Sequence, residues 1–239
     1  MGGCRRLCAW VSSAEGALST ERSEWLERRL AAMHGERGAA WSVSATFNKL
    51  TAAAASPGAT PALGTGLWVV ETSDVPGAVL ATTGRLAARG AFEATAALGG
   101  TAELQPMLRK LQKTKAQAGA ERAVLDGGTT TVTVAGTSWQ LGDFSVRVGQ
   151  LRWERLPRGV VLELEYAAAV AWAQGECEPV LSEFVQLLGG TAGWVAPIIV
   201  TDCAQLPKDV LGDDYGAEHL GVQYAQLLRR LEVELDKKI

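Results

Sequence analysis

The residues best suited to chemistry are two carboxylates in the stretch RGVVLELEY, residues 158–166. Successive side chains of a strand point to opposite faces, so Glu163 and Glu165 share one face with Val161. Two carboxylates one pleat apart could hold a divalent metal in front of a triphosphate. They equally suit the wet face of a half-solvated strand, and the neighbouring sequence has to distinguish the two interpretations.

The neighbouring strands supply few of the cations that a triphosphate site requires. Such a site needs several Lys or Arg side chains around the phosphates, because their charge must be neutralised on all sides. The stretch DFSVRVG contributes Arg147, LRWER contributes Arg152, and no second E-x-E occurs in a predicted strand. The sequence therefore favours a wet face with cross-strand Arg–Glu pairs, each contributing about 0.2–1 kcal/mol.

No other residue set has the pattern of a catalytic centre. His34 is predicted at the end of the first helix and His219 at the start of the last, and neither lies near a GxSxG motif. The glycines of GTGLW and LGGTAGW do not have the spacing of phosphate-binding loops. We therefore predict no catalytic, metal-binding or cofactor-binding residue and no cofactor.

The four cysteines, Cys4, Cys8, Cys177 and Cys203, show no CxxC pairing and no histidine partners for zinc. Their sparse spacing differs from the dense framework of small secreted domains. We therefore predict free, buried or half-buried thiols in a reducing compartment.

Composition indicates one domain, residues 1–239, with a substantial core. Hydrophobic residues make up 47% of the chain, and the net charge of −3 argues against nucleic acid as the main partner. We find no secretory signal and no apolar run of the roughly 20 residues that a membrane span needs, and expect a soluble intracellular protein. Residues 51–66 are rich in Ala, Gly, Pro and Thr and predict a flexible loop.

Hydrophobic periodicity predicts a strand at residues 7–12, then a helix with Ser19 and Thr20 as N-cap candidates. Further strands are predicted at 39–48, 67–72 and 78–83, and helices at 101–117, 178–190 and 218–235, whereas 85–100 could be strand or helix. Between 122 and 172 we predict consecutive hairpins turning at Gly127–Gly128, Gly136, Gly149 and Pro157–Gly159.

These elements predict an α+β fold. Its centre would be a largely antiparallel β-barrel, or a strongly curled sheet, of about eight strands with three to four packed helices.

Four motifs in order resemble the family of Mediator of RNA polymerase II transcription subunit 20. They are a D-F-x-V-[KR]-V-G strand at 143–149, an R-G-[IV]-x-[VL]-E-[VL]-E-Y strand at 158–166, an L-x-E-F-[LV]-Q helix at 181–189 and a Y-G-x-x-x-x-x-V-Q-Y helix at 215–224. The N-terminal half is similar mainly at VSSAEG, and residues 51–66 and 85–100 depart from the family pattern.

The resemblance implies a non-catalytic structural subunit of the Mediator head module in the nucleus, helping to couple transcription regulators to RNA polymerase II. It implies β-barrel architecture, a heterodimer with Mediator subunit 18, and tethering by the C-terminal helix of Mediator subunit 8. It implies no direct sequence-specific contact with nucleic acid and no membrane contact.

Two other functions follow from the barrel architecture, which is similar to that of RNA triphosphatases. One is a triphosphatase-like tunnel enzyme with Glu163 and Glu165 as metal ligands. The other is a generic ligand-binding barrel, which would need an apolar lumen without inward carboxylates.

Overall fold

A computed structural model describes thirteen parts of the chain. They are residues 4–11, 17–50, 66–73, 78–86, 92–101, 103–104, 106–107, 125–167, 177–189, 197–202, 206, 210–211 and 215–236. Residues 51–65 of the predicted loop and most of the predicted helix at 101–117 lie outside them, whereas Gly66 begins a strand.

The described chain forms nine strands and three helices, most of them where periodicity predicts them. The strands are β1 (Cys4–Val11), β2 (Glu36–Leu50), β3 (Gly66–Thr72), β4 (Ala78–Leu86), β5 (Phe92–Thr101), β6 (Leu125–Leu141), β7 (Phe144–Trp153), β8 (Leu156–Tyr166) and β9 (Ile199–Asp202). The helices are α1 (Ala17–Ala32), α2 (Glu178–Gly189) and α3 (Ala217–Asp236). Of the segment 85–100, which periodicity left as strand or helix, residues 85–86 belong to β4 and residues 92–100 to β5. None of the described helices is long and apolar enough to cross a membrane.

All nine strands join one antiparallel sheet in the order β5-β4-β3-β2-β6-β7-β8-β1-β9. This confirms the α+β class and the antiparallel sheet, but the described strands do not close into the predicted barrel, because β5 and β9 remain as separate ends. Helix α3 contacts β3, β4 and β5 near one end of the sheet, and it contacts β1 and β9 at the other end of the sheet. The sheet therefore curls around α3 and is bridged by a helix where a barrel would be closed by strand pairing.

Two layers cover the part of the sheet formed by β7, β8 and β1. Helix α1 contacts β7 and β8, and the Phe144 ring of β7 lies 4.3 Å from the Phe184 ring of α2. Helix α3 reaches the opposite face, where Tyr224 contacts Glu163 of β8. Because both faces are covered, Val160 to Leu164 are buried without interruption.

Several glycines predicted as turns lie inside strands instead. Gly127–Gly128 and Gly136 belong to β6, Gly149 to β7 and Gly159 to β8. A Cβ atom at Gly136 would lie 1.8 Å from the carbonyl oxygen of Val148, so the glycine permits a close approach of two backbones. The hairpin turns fall elsewhere, at Gly142–Asp143 and Glu154–Arg155.

The N-cap prediction for α1 is also wrong, because the helix begins at Ala17 and places both hydroxyl residues in its first turn. The amide Nε2 of Gln150 lies 3.4 Å from Ser19 Oγ and 3.1 Å from Thr20 Oγ1, and donates to both. The two hydroxyls therefore attach the start of α1 to strand β7.

The prediction of free thiols is wrong for two of the four cysteines. Cys4 of β1 and Cys177, which immediately precedes α2, form a disulfide. Cys8 is buried and forms no disulfide, as predicted, and Cys203 lies outside the described residues. No sequence spacing indicates this pair, because 173 residues separate the two cysteines and only the fold brings them together.

We predict that Cys177→Ser lowers the free energy of unfolding by about 2–4 kcal/mol, because the unfolded chain loses a constraint on a long loop. Urea unfolding of the oxidised wild type and the variant measures the difference. Reduction of the wild type should reproduce the loss, and Cys8→Ser controls for removing a buried sulfur from β1. Equal unfolding midpoints for the oxidised wild type and Cys177→Ser would contradict the prediction.

Candidate functional site

Glu163, the first of the two candidate carboxylates, is a core residue with only 1% of its surface exposed. In the sheet register it lies opposite Leu7 of β1 on one side and Arg147 of β7 on the other. Its Oε1 accepts a hydrogen bond from Arg5 Nη1 at 2.9 Å and a second from Arg147 Nη1. Its Oε2 accepts one from the Tyr224 hydroxyl at 2.8 Å. One carboxylate therefore joins three adjacent strands to helix α3.

Glu165 belongs to the same cluster and is less deeply buried. Its Oε2 lies 2.9 Å from Arg5 Nη2, so the Arg5 guanidinium bridges both glutamates. With Arg147, the cluster contains two positive and two negative charges and is neutral as a unit. Neutrality matters here because an uncompensated charge in the interior is strongly destabilising.

Helix α3 adds a layer of neutral polar groups over these charges. Gln223 Nε2 donates to the backbone oxygen of Arg5 at 3.0 Å and to that of Thr201 at 3.4 Å, and its Oε1 accepts from the Tyr215 hydroxyl. The Arg5 guanidinium also lies over the Tyr215 ring, 5.8 Å from its centroid. The helix is thus hydrogen-bonded to both β1 and β9.

His219, considered above as a possible catalytic residue, caps the start of α3. Its Nδ1 accepts a hydrogen bond from the Gly216 backbone N–H at 3.0 Å, and its ring packs 5.1 Å from that of Tyr215. His34 lies in the turn after α1 with a φ of 60°. The two histidines therefore lie in different elements, His219 in the first turn of α3 and His34 in the turn after α1.

The two tyrosines of the cluster are held as neutral phenols. Burial raises the pKa of Tyr215 above its usual value of 10.0; Arg5 opposes this rise, and Glu163 and Glu165 add to it. Burial and then the Glu163 carboxylate raise the pKa of Tyr224 well above 10.0. Both hydroxyls therefore remain protonated at neutral pH and act as hydrogen-bond donors.

This geometry does not favour Glu163 and Glu165 as metal ligands. Both oxygens of Glu163 already accept hydrogen bonds, and the two guanidinium groups beside it would repel a divalent cation. Within the described parts of the chain, no group of three or more His, Cys, Asp or Glu side chains could hold a metal ion. The cluster is suited to holding α3 in the curled sheet.

The structure confirms one sequence expectation about these carboxylates and corrects another. The predicted cross-strand Arg–Glu pairing exists between Arg147 and Glu163. The prediction of a wet face is wrong at Glu163, because α3 covers this side chain. Strand alternation shows which side chains share a face, but it does not show whether a helix from later in the sequence packs on that face. Sequence reasoning also missed Arg5, because the predicted first strand begins only at residue 7 and no motif includes Arg5. Two other residues of the cluster, Gln223 and Tyr224, lie in the last family motif. The motif singles out these positions, but it does not predict what they contact.

We predict that Glu163→Gln lowers the free energy of unfolding by about 3–5 kcal/mol, because it leaves Arg5 and Arg147 without their shared counter-ion. Urea unfolding at pH 7 measures the loss. The matched control is Glu165→Gln, which removes a more exposed carboxylate with one arginine partner and should cost less. Equal losses in the two variants would show that Glu163 has no special place in the cluster.

We also predict that stability falls as the pH rises above about 10. The folded tyrosines have raised pKa values, so their stabilising effect is complete below the unfolded pKa of 10.0 and declines above it, where only the unfolded chain ionises. Each group contributes up to about 1.4 kcal/mol per pH unit in that range. Urea midpoints of the wild type and of Tyr215→Phe/Tyr224→Phe, measured from pH 8 to 11, test this. An unchanged alkaline slope in the double variant would disprove it.

Comparison with solved structures finds distant likenesses. The PH1012 protein of Pyrococcus horikoshii OT3 is 11% identical to this chain with a TM-score of 0.43. The match covers 82% of this chain and 96% of the PH1012 chain. A conserved hypothetical protein of Pyrococcus furiosus has a TM-score of 0.41 at 11% identity, with the same coverage. The Mediator head module of Schizosaccharomyces pombe contains a chain with a TM-score of 0.39 at 8% identity, covering 84% of this chain and 100% of that one. At these values the likenesses carry no functional argument, and no curated protein matches the sequence.

The family comparison is more specific. Residues 127–229 match the family described as the TATA-binding related factor of subunit 20 of the Mediator complex. The matched region contains all four motifs on which the sequence resemblance rests, as well as Glu163, Gln223 and Tyr224 of the buried cluster. Residues 127–229 of this chain are therefore similar to the Mediator subunit 20 family.

Proposed function

We propose that this protein is a non-catalytic structural subunit of the Mediator head module and helps to couple transcription regulators to RNA polymerase II. The observation that carries the proposal is the family match over residues 127–229. The buried cluster supports it, because the carboxylates that could have served a reaction are used to hold α3 in the sheet. Function then depends on the outer surface of a rigid domain.

The proposal includes the partners that the family resemblance implies. These are Mediator subunit 18 in a heterodimer, the C-terminal helix of Mediator subunit 8, and the rest of the head with the RNA polymerase II machinery. It also includes a nuclear location. Disulfides are rare in nuclear proteins, so the Cys4–Cys177 bond is the feature of the structure that fits this location least well.

The triphosphatase alternative is less well supported by the geometry. A triphosphate site needs unpaired cations facing the substrate. Arg5 and Arg147 lie beside the candidate carboxylates, yet both are paired with Glu163. The charges in this part of the sheet therefore satisfy one another.

Co-expression with Mediator subunit 18 tests the proposal. We expect a stable one-to-one complex by size-exclusion chromatography with light scattering, because a structural subunit acts through stoichiometric assembly. The same preparations are assayed for phosphate release from inorganic triphosphate with Mn²⁺. No complex, together with phosphate release that is lost in Glu165→Gln, would contradict the proposal; Glu165 is chosen because Glu163→Gln is expected to destabilise the fold.

A further inference from the structure

The hairpin between β7 and β8 ends in an unusual two-residue turn. Trp153 pairs with Leu156 across the end of the ladder, which leaves Glu154 and Arg155 as the loop. We call residues 152–158, RWERLPR, the hairpin tip.

Both loop residues adopt a left-handed backbone conformation. The φ angles are 49° for Glu154 and 74° for Arg155, and a two-residue turn with positive φ at both positions normally contains Asn-Gly or Asp-Gly. In the preceding hairpin of the same sheet, the turn residue with a positive φ, 54°, is a glycine, Gly142. A side chain with a Cβ atom is disfavoured in this region, so Glu154 and Arg155 are poor choices for the stability of the turn. This choice indicates that the tip is used for something other than folding.

The tip also presents a contact surface. Leu156 is 54% exposed, Arg152, Glu154 and Arg155 are exposed, and the half-buried Trp153 packs against the core. Trp and Arg are the side chains that most often dominate the energy of protein interfaces, where they surround or line apolar contacts. The tip therefore has an apolar centre, a rigid aromatic base and a charged rim.

The charges at the tip differ from those inside the sheet. Among the described residues, Arg152, Arg155 and Arg158 make no ion pair with a carboxylate, and Arg152 bonds only to the side-chain oxygen of Gln150. With three arginines and one glutamate, the tip is locally positive on a chain of net charge −3. Such a surface attracts an acidic partner and accelerates its association.

We propose that the hairpin tip docks into an acidic protein surface that contains an apolar pocket. Leu156 fills the pocket, and Arg152 and Arg155 pair with carboxylates at its rim. A nucleic acid fits less well, because the chain is acidic overall and the tip has an exposed leucine at its centre in place of a continuous basic stripe. The choice of Mediator subunit 18 as the partner in the test rests on the proposed function.

Two variants of the full chain test the contact without touching the core. Arg152→Glu/Arg155→Glu and Leu156→Ala should each weaken binding to purified Mediator subunit 18 about tenfold or more. The charge reversal should act mainly on the association rate and lose its effect at high salt. Matched controls are Arg28→Glu and Leu187→Ala, which change an exposed arginine of α1 and an exposed leucine of α2 and should bind like the wild type.

A turn variant separates contact from folding. Glu154→Asn/Arg155→Gly installs the preferred turn residues and should raise the melting temperature by about 2–4 °C while weakening binding, because Arg155 is lost. Glu154→Asn alone keeps Arg155 and should retain wild-type binding. A tip that merely closes the hairpin would gain stability in the double variant with no loss of binding, which would overturn the inference.

The remaining outcomes distinguish this inference from the proposed function. Wild-type binding to subunit 18 that persists in all tip variants overturns the inference and leaves the proposed function intact.

If the wild type does not bind subunit 18, the proposed function fails, and a peptide of alternating Glu and Leu residues is the second probe. Equal binding of that peptide by wild type and Arg152→Glu/Arg155→Glu, or binding by neither, overturns the inference. Tip-dependent binding of random-sequence duplex DNA in place of either probe overturns the acidic-protein assignment.

Discussion

The buried ion pair of Glu163 with Arg5 and Arg147 is the interaction on which the rest of the structure depends. A carboxylate with 1% exposure requires compensation for the water it has lost, and the two neighbouring strands each supply one guanidinium. Tyr224 supplies the third hydrogen bond from α3. Three strands and one helix are therefore fixed to the same pair of oxygen atoms, so none can slide along the others without exposing a charge to the core.

Helix α3 needs such a fixed point because it is surrounded by the sheet. From His219 to Leu231 it is buried except at Gln226, Arg229 and Arg230, which are partly exposed. At the other end of the sheet, a Cβ atom at Gly221 would lie 2.9 Å from the Leu80 Cβ, so the helix approaches β4 closely there. Apolar residues of similar volume could match the stability of a buried ion pair, but they would specify the position of the helix less strictly.

Arginine side chains are paired differently in the interior of the protein and at its surface. Arg5 and Arg147 have their charge satisfied within the fold, whereas Arg155 is exposed in a turn that is itself conformationally disfavoured. The cluster around Glu163 balances its own charges, and the proposed recognition chemistry lies in the short segment that joins β7 to β8.

The sequence by itself determined the α+β class, the antiparallel sheet, most strand and helix positions, the presence of cross-strand Arg–Glu pairing and the resemblance to the Mediator subunit 20 family. These follow from local periodicity and from motifs that stay contiguous in the chain. Only the tertiary structure decided that Gly136 serves a close approach to Val148, that Cys4 meets Cys177, and that the sheet stays open around α3. Periodicity states which side chains share a face of a strand, but what covers that face depends on packing between segments distant in sequence. For that reason Glu163, which the sequence places on a wet strand face, lies buried at the centre of the charged cluster.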